Sequence, residues 1–109
     1  MNTPLTVIDN PWPGKGLHAY VFADEADKPP VGSCWRYPKG DEPDRECWFI
    51  VLPNNAGIWQ TTLKTPASGY WKLTGEMPNI TVTPSISRWT HDHRLWHGWI
   101  TNGELVEVS

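Results

Sequence analysis

Residues Trp71–Val108 read WKLTGEMPNITVTPSISRWTHDHRLWHGWITNGELVEV. Asn102-Gly103 stands between Leu95–Thr101 and Glu104–Val108. An Asn-Gly pair between two apolar, β-branched runs is the strongest two-residue hairpin signal, because both residues tolerate the left-handed backbone that the turn needs. Upstream, Ile80–Thr83 alternates and predicts a strand cut by Pro84. Ser85–Trp89 continues it after a bend, and Tyr70–Thr74 is a further strand joined to Ile80 by the turn Gly75–Asn79. This succession of short strands and turns makes the region β-structured.

The preceding residues agree. Glu46–Pro53, ECWFIVLP, is an apolar run of strand length without alternation, which predicts a strand buried on both faces. Asn54–Gly57 is turn chemistry, and Ile58–Leu63 returns as its hairpin partner. Gly32–Tyr37 is another strand, with Cys34 and Arg36 on one face and Trp35 and Tyr37 on the other. Leu17–Ala23, LHAYVFA, reads as a buried strand with His18 as a hydrogen-bonded structural residue, and residues 4–9 as a short one. Asp24–Val31 and Pro38–Arg45 are polar loops. No ten-residue segment holds a helical period without Pro or Gly. The expected fold is therefore mainly β: one Trp-rich domain over residues 1–109, an antiparallel sheet, sandwich or partly open barrel, with at most one short helix.

The chain has 109 residues, enough for one core. Its apolar fraction, 39%, is low for a globular domain, and eight tryptophans offset the shortfall. Nine basic against twelve acidic residues, with no basic run, exclude the electrostatic footprint of direct nucleic-acid binding. Seven of the acids fall between Asp24 and Glu46, so the loop acids Asp41, Glu42 and Asp44 are candidates for contact with a protein partner. No apolar run approaches the ~20 residues that span a bilayer. The first residues lack the charged and apolar regions of a signal peptide, so a cytoplasmic location is expected (a host-cell cytoplasm for a phage-encoded chain). Cys34 and Cys47 are then expected as thiols or metal ligands rather than a disulfide.

The sharpest chemical grouping is His91-Asp92-His93-Arg94-Leu95-Trp96-His97. Extended, it projects His91, His93 and His97 from one face. Three imidazoles with an open fourth position are the ligand set of a catalytic zinc, whose bound water becomes a nucleophile near neutral pH. A straight strand, however, separates His93 from His97 by ~13 Å, so convergence requires a turn between them. Cys47 is a further candidate ligand. Ser85 and Ser87 lie near the histidines in sequence, but nothing in the sequence supports a triad. The tryptophans read as core rather than as a binding platform.

Three short blocks, Trp71–Gly75 (WKLTG), Thr81–Ile86 (TVTPSI) and Trp96–Gly103 (WHGWITNG), resemble a small family of uncharacterised phage and bacterial proteins, some of which carry the label ammonia monooxygenase. The resemblance implies metal binding through cysteine and histidine and, in some bacterial settings, peptidase activity. His97 matches that family's histidine and Cys47 a cysteine before its central strand. Trp96 stands where many members have a cysteine, and Trp48-Phe49 follow Cys47 in place of a C-x-C-G cluster.

Three functions are compatible with these features. The first is a phage-type accessory protein that binds a host protein, such as a defence component. The second is a zinc-dependent, peptidase-like hydrolase built on the histidines. The third is a structural, virion-associated β-module.

Overall fold

The computed structural model describes residues 2–13, 18–38, 46–62 and 72–108. Among the described residues, nine strands lie in two sheets. In chain order they are β1 (Thr3–Pro4), β2 (Thr6–Val7), β3 (Ser33–Pro38), β4 (Glu46–Val51), β5 (Ile58–Thr62), β6 (Lys72–Thr74), β7 (Thr81–Thr90), β8 (His93–Thr101) and β9 (Glu104–Glu107). One sheet has the order β1-β9-β8-β7-β6 and the other β2-β3-β4-β5. All pairings are antiparallel except β2 with β3. The mainly β expectation holds, in the form of two packed sheets.

Alternation along the strands builds the layer between the sheets. Leu5, Cys34, Ile50, Leu52, Ala56, Trp59, Ile80, Val82, Ile86, Trp96, Ile100 and Leu105 form one buried cluster. Burying each of the larger side chains contributes about 1.5–3 kcal/mol against the unfolded chain. Residues 3–8 tie the two sheets together. Leu5 N–H donates to Gly103 O at 2.8 Å and Thr6 N–H to Gly32 O at 2.9 Å, so the chain leaves one sheet and joins the other at the buried Leu5.

β4 is buried on both faces, as its unbroken apolar run predicts. Ile50 enters the central cluster, while Phe49 and Val51 join Trp35 and Ile58 in a second one. Ile8, Trp12 and Tyr20 cover this second cluster from outside. The rings meet edge to face, Trp12 to Trp35 at 6.2 Å and Trp35 to Phe49 at 5.8 Å between centroids.

Leu17–Ala23 departs from the expected buried strand. Residues His18–Phe22 form a single helical turn, α1, followed by a 3-10 turn at Glu25–Asp27. Tyr20 packs inward against Trp12, while Val21 and Phe22 are 59% and 83% exposed. A short apolar run carries no length signal to separate the two periods, and here packing of one aromatic decided it.

The turns follow their residues. Asn102 and Gly103 have φ of 47° and 78°, and Asn54 and Asn55 φ of 58° and 57°. Gly103 N–H donates to Ile80 O at 2.9 Å, which docks the β8–β9 hairpin on the turn that precedes β7.

Candidate active site

Pro84 shapes the site. It lies inside β7, between β6 and β8, and has no N–H to give to a ladder. The strand accommodates it with an irregularity: Val82 pairs with Ile100 and Ile86 with Gly98, so four steps on β7 face two on β8. A surplus of two residues preserves alternation. Val82 and Ile86 therefore both point into the core, and Ser85 and Ser87 stand on the outer face of the five-stranded sheet.

His97 stands on that same face, in the middle of β8. Its direct cross-strand partner is Ser87, but its hydrogen bond runs diagonally to Ser85, with Oγ and Nε2 2.8 Å apart. Ser87 is engaged elsewhere: its Oγ accepts from Trp89 Nε1 at 3.0 Å. The displacement at Pro84 thus selects the earlier serine. A serine hydroxyl within hydrogen-bond reach of an imidazole is the pair required to activate an alcohol nucleophile, because a histidine that receives the proton makes the oxygen reactive near neutral pH.

The other imidazole nitrogen is unusual. His97 Nδ1 is buried and has no hydrogen-bond partner. In the serine-histidine-aspartate arrangement a carboxylate occupies that position. Among the described residues none does, and Ser85 and His97 stand there as a dyad. Beside the imidazole lies the Trp99 ring, with centroids 6.4 Å apart and planes tilted by 33°. Trp99 and Trp89 are 39% and 58% exposed and flank the dyad on the outer face, where Val106 is the cross-strand neighbour of Trp99. Arg94 lies over the Trp89 ring at 5.6 Å.

The sequence-predicted histidines separate. His91 is in the β7–β8 turn with φ of 49°, exposed, and His93 is exposed at the start of β8. No group of three or more His, Cys, Asp or Glu among the described residues could hold a metal ion. Cys47 lies in β4, in the opposite sheet, and its side chain is outside the described residues, as are Asp41, Glu42 and Asp44. The tryptophans divide: Trp35, Trp59 and Trp96 are buried in the clusters, whereas Trp89 and Trp99 are exposed. A groove of about 260 Å³, lined by Tyr20, Lys28, Pro30, Val51 and Asn55 among others, belongs to the layer that carries α1 rather than to the dyad's face.

Ser85 is the candidate residue that the sequence does not single out. The available signal was its place after Pro84, in a strand whose hairpin partner carries His97. No helix among the described residues is long and apolar enough to cross a membrane.

A family described as bacterial ubiquitination-like system serine protease (BubE) matches the chain over residues 37–108, from β3 past the end of β9. No curated protein and no solved structure matches it. The family match overturns the expected phage accessory protein acting by host-protein binding, and with it the virion-associated module. The zinc-dependent hydrolase is likewise displaced, because the family's chemistry belongs to a serine and the histidine nearest a serine here is hydrogen-bonded to it.

Proposed function

The chain belongs to the family of bacterial ubiquitination-like system serine proteases (BubE), and we propose that in it Ser85 is the nucleophile and His97 the general base of peptide-bond hydrolysis. The observation that carries this reading is the 2.8 Å contact between Ser85 Oγ and His97 Nε2. The Ser85 hydroxyl gives its proton to Nε2 as Oγ bonds to the substrate carbonyl carbon. The protonated imidazole then returns that proton to the departing amine, the C–N bond breaks, and an acyl-enzyme remains. Water, deprotonated by the same nitrogen, attacks the acyl carbon and releases Ser85 and a carboxylic acid.

The substrate class follows from the family and the surface together: a protein of a ubiquitination-like system, docked on an open sheet face. The exposed Trp89 and Trp99 supply apolar contact on either side of the nucleophile. The protein partner is thus read as the substrate itself.

A fluorophosphonate probe tests the nucleophile without knowledge of the substrate. Peptide mapping after labelling should place the adduct on Ser85. Ser85→Ala should abolish it, and His97→Ala should slow it by about 10²–10⁴-fold, the usual contribution of a positioned base. An adduct on another serine, or equal labelling of the His97→Ala protein, sinks the assignment. Cleavage of a ubiquitin-like protein carrying a C-terminal extension then tests the substrate class.

A further inference from the structure

An imidazole that serves as general base needs something to hold its plane and fix its protonated nitrogen. In a triad, a carboxylate on Nδ1 does both. Here Nδ1 is buried and has no partner among the described residues, so among them the orientation of His97 has another source. The surroundings of the ring narrow it down. Along β8 the neighbour on the same face towards Ser85 is Trp99, two residues on. In a regular ladder continuing from Ile86 opposite Gly98, Trp99 would face Ser85. The irregularity at Pro84 instead leaves Ser85 to lean diagonally to His97. The indole lies beside the imidazole, 6.4 Å between centroids with a 33° tilt.

We propose that Trp99 is the positioning residue of the dyad, a flat apolar wall that keeps Nε2 aimed at Ser85 and shields Nδ1 from water, in place of a triad carboxylate. This rests on the assignment of Ser85 and His97 as nucleophile and base. The chemical requirement is definite. Ser85 donates to Nε2 only in the tautomer with the proton on Nδ1. A histidine free in water has its ring rotamers open to it; one packed against an indole has its plane held, so that the hydrogen bond from Ser85 can select the tautomer. Trp99 acts through His97 and forms no bond in the reaction. In labelling by a fluorophosphonate, Oγ bonds to phosphorus, fluoride leaves, and the hydroxyl proton passes to Nε2, so the rate reads the aim and tautomer of the imidazole directly.

The test uses the full chain labelled with nitrogen-15 at histidine. Long-range proton–nitrogen spectra identify the His97 tautomer, with His97→Asn for assignment. The fluorophosphonate rate is measured on the same proteins. The wild type should show one neutral tautomer, protonated on Nδ1. Trp99→Leu, apolar but without a flat face, should show tautomer exchange and label about 10–100-fold more slowly, in line with the cost of a misaimed catalytic group. Trp99→Phe restores a flat ring and should recover the single tautomer and a rate within about threefold of wild type. A role confined to stability would make Leu and Phe equivalent, and that outcome overturns the proposal, as does Trp99→Leu with an unchanged tautomer. A wild type that shows the single tautomer, lost in Trp99→Leu, but is never labelled at Ser85 removes the nucleophile and leaves the positioning role of Trp99 supported.

Discussion

The six-membered edge of the Trp96 indole lies over Gly98 in the space that a β-carbon would fill. A β-carbon built on Gly98 meets both that ring and the carbonyl oxygen of Val106. The ring belongs to the central cluster and the carbonyl to the next strand, so neither is free to swing aside. Gly98→Ala is expected to cost about 1–3 kcal/mol, the range for overpacking a well-filled interior. A denaturant titration measures this directly. Because Gly98 adjoins His97, the labelling rate of Ser85 should fall as well. A Gly98→Ala protein with an unchanged midpoint would mean that the ring has another place to go.

Ser87 provides the sharpest control for the dyad. It lies directly opposite His97 and is nearer in register than Ser85, yet its Oγ serves Trp89. Ser87→Ala should leave the fluorophosphonate rate near wild type and change stability by less than about 0.5 kcal/mol, as expected for an exposed substitution. Loss of labelling in this variant would transfer the nucleophile to the neighbouring serine.

Cys34 is fully buried in the central cluster, and its Sγ approaches Thr6 O at 3.4 Å. Burial pushes its thiol up from the ordinary 9.0 to about 11. The folded protein holds the proton more tightly than the unfolded chain. This contribution to stability is therefore complete below pH 9.0 and is lost as the pH climbs towards about 11. Thermal melts across that window should show a falling midpoint that Cys34→Ala flattens. Alkylation of Cys34 by iodoacetamide at pH 8 should be slow and should accelerate in urea, since only the thiolate reacts.

Arg88 reaches from β7 across to the turn before β5. Its Nε donates to Ala56 O at 3.4 Å and its Nη2 to Ile58 O at 3.3 Å. Arg88→Met keeps the apolar stem but leaves two carbonyls without this donor, at an expected cost of about 1–3 kcal/mol. Arg88→Lys should recover little, because a single ammonium lacks the fork that serves both oxygens. Urea titrations of the two variants check this. The labelling rate of Ser85 should hold in both, since Arg88 faces the opposite side of the sheet from the dyad.

Much of the fold was legible because local signals agreed with tertiary demands. Asn102-Gly103, the Asn54–Gly57 turn and the unbroken apolar run of β4 each had one physical solution. α1 was not legible, since LHAYVFA satisfies either period and its structure depends on Tyr20 meeting Trp12, eight residues earlier and across a proline- and glycine-rich stretch. The site was half legible. His97 stood out by residue type, but its partner did not, because which serine meets it depends on the register of two strands. That register is set by how the sheet absorbs Pro84, a property of the ladder and not of either residue. The histidine spacing suggests metal chemistry because shared parity is visible in a sequence, whereas the irregularity that sets Trp89 opposite Arg94 and Arg88 opposite Trp96, and so breaks that parity between His93 and His97, is not.

Ser85 and His97 are twelve residues apart in the chain and belong to adjacent strands joined by the two-residue turn His91-Asp92. The loop that must close to bring them together is short, and its closure entropy is correspondingly small. Triads assembled from distant parts of a chain wait for the whole topology to form. Here the proposed reactive pair is written into one β-ribbon, so its assembly depends on local contact order and its register can be inherited, shortened or moved as a single segment of sequence.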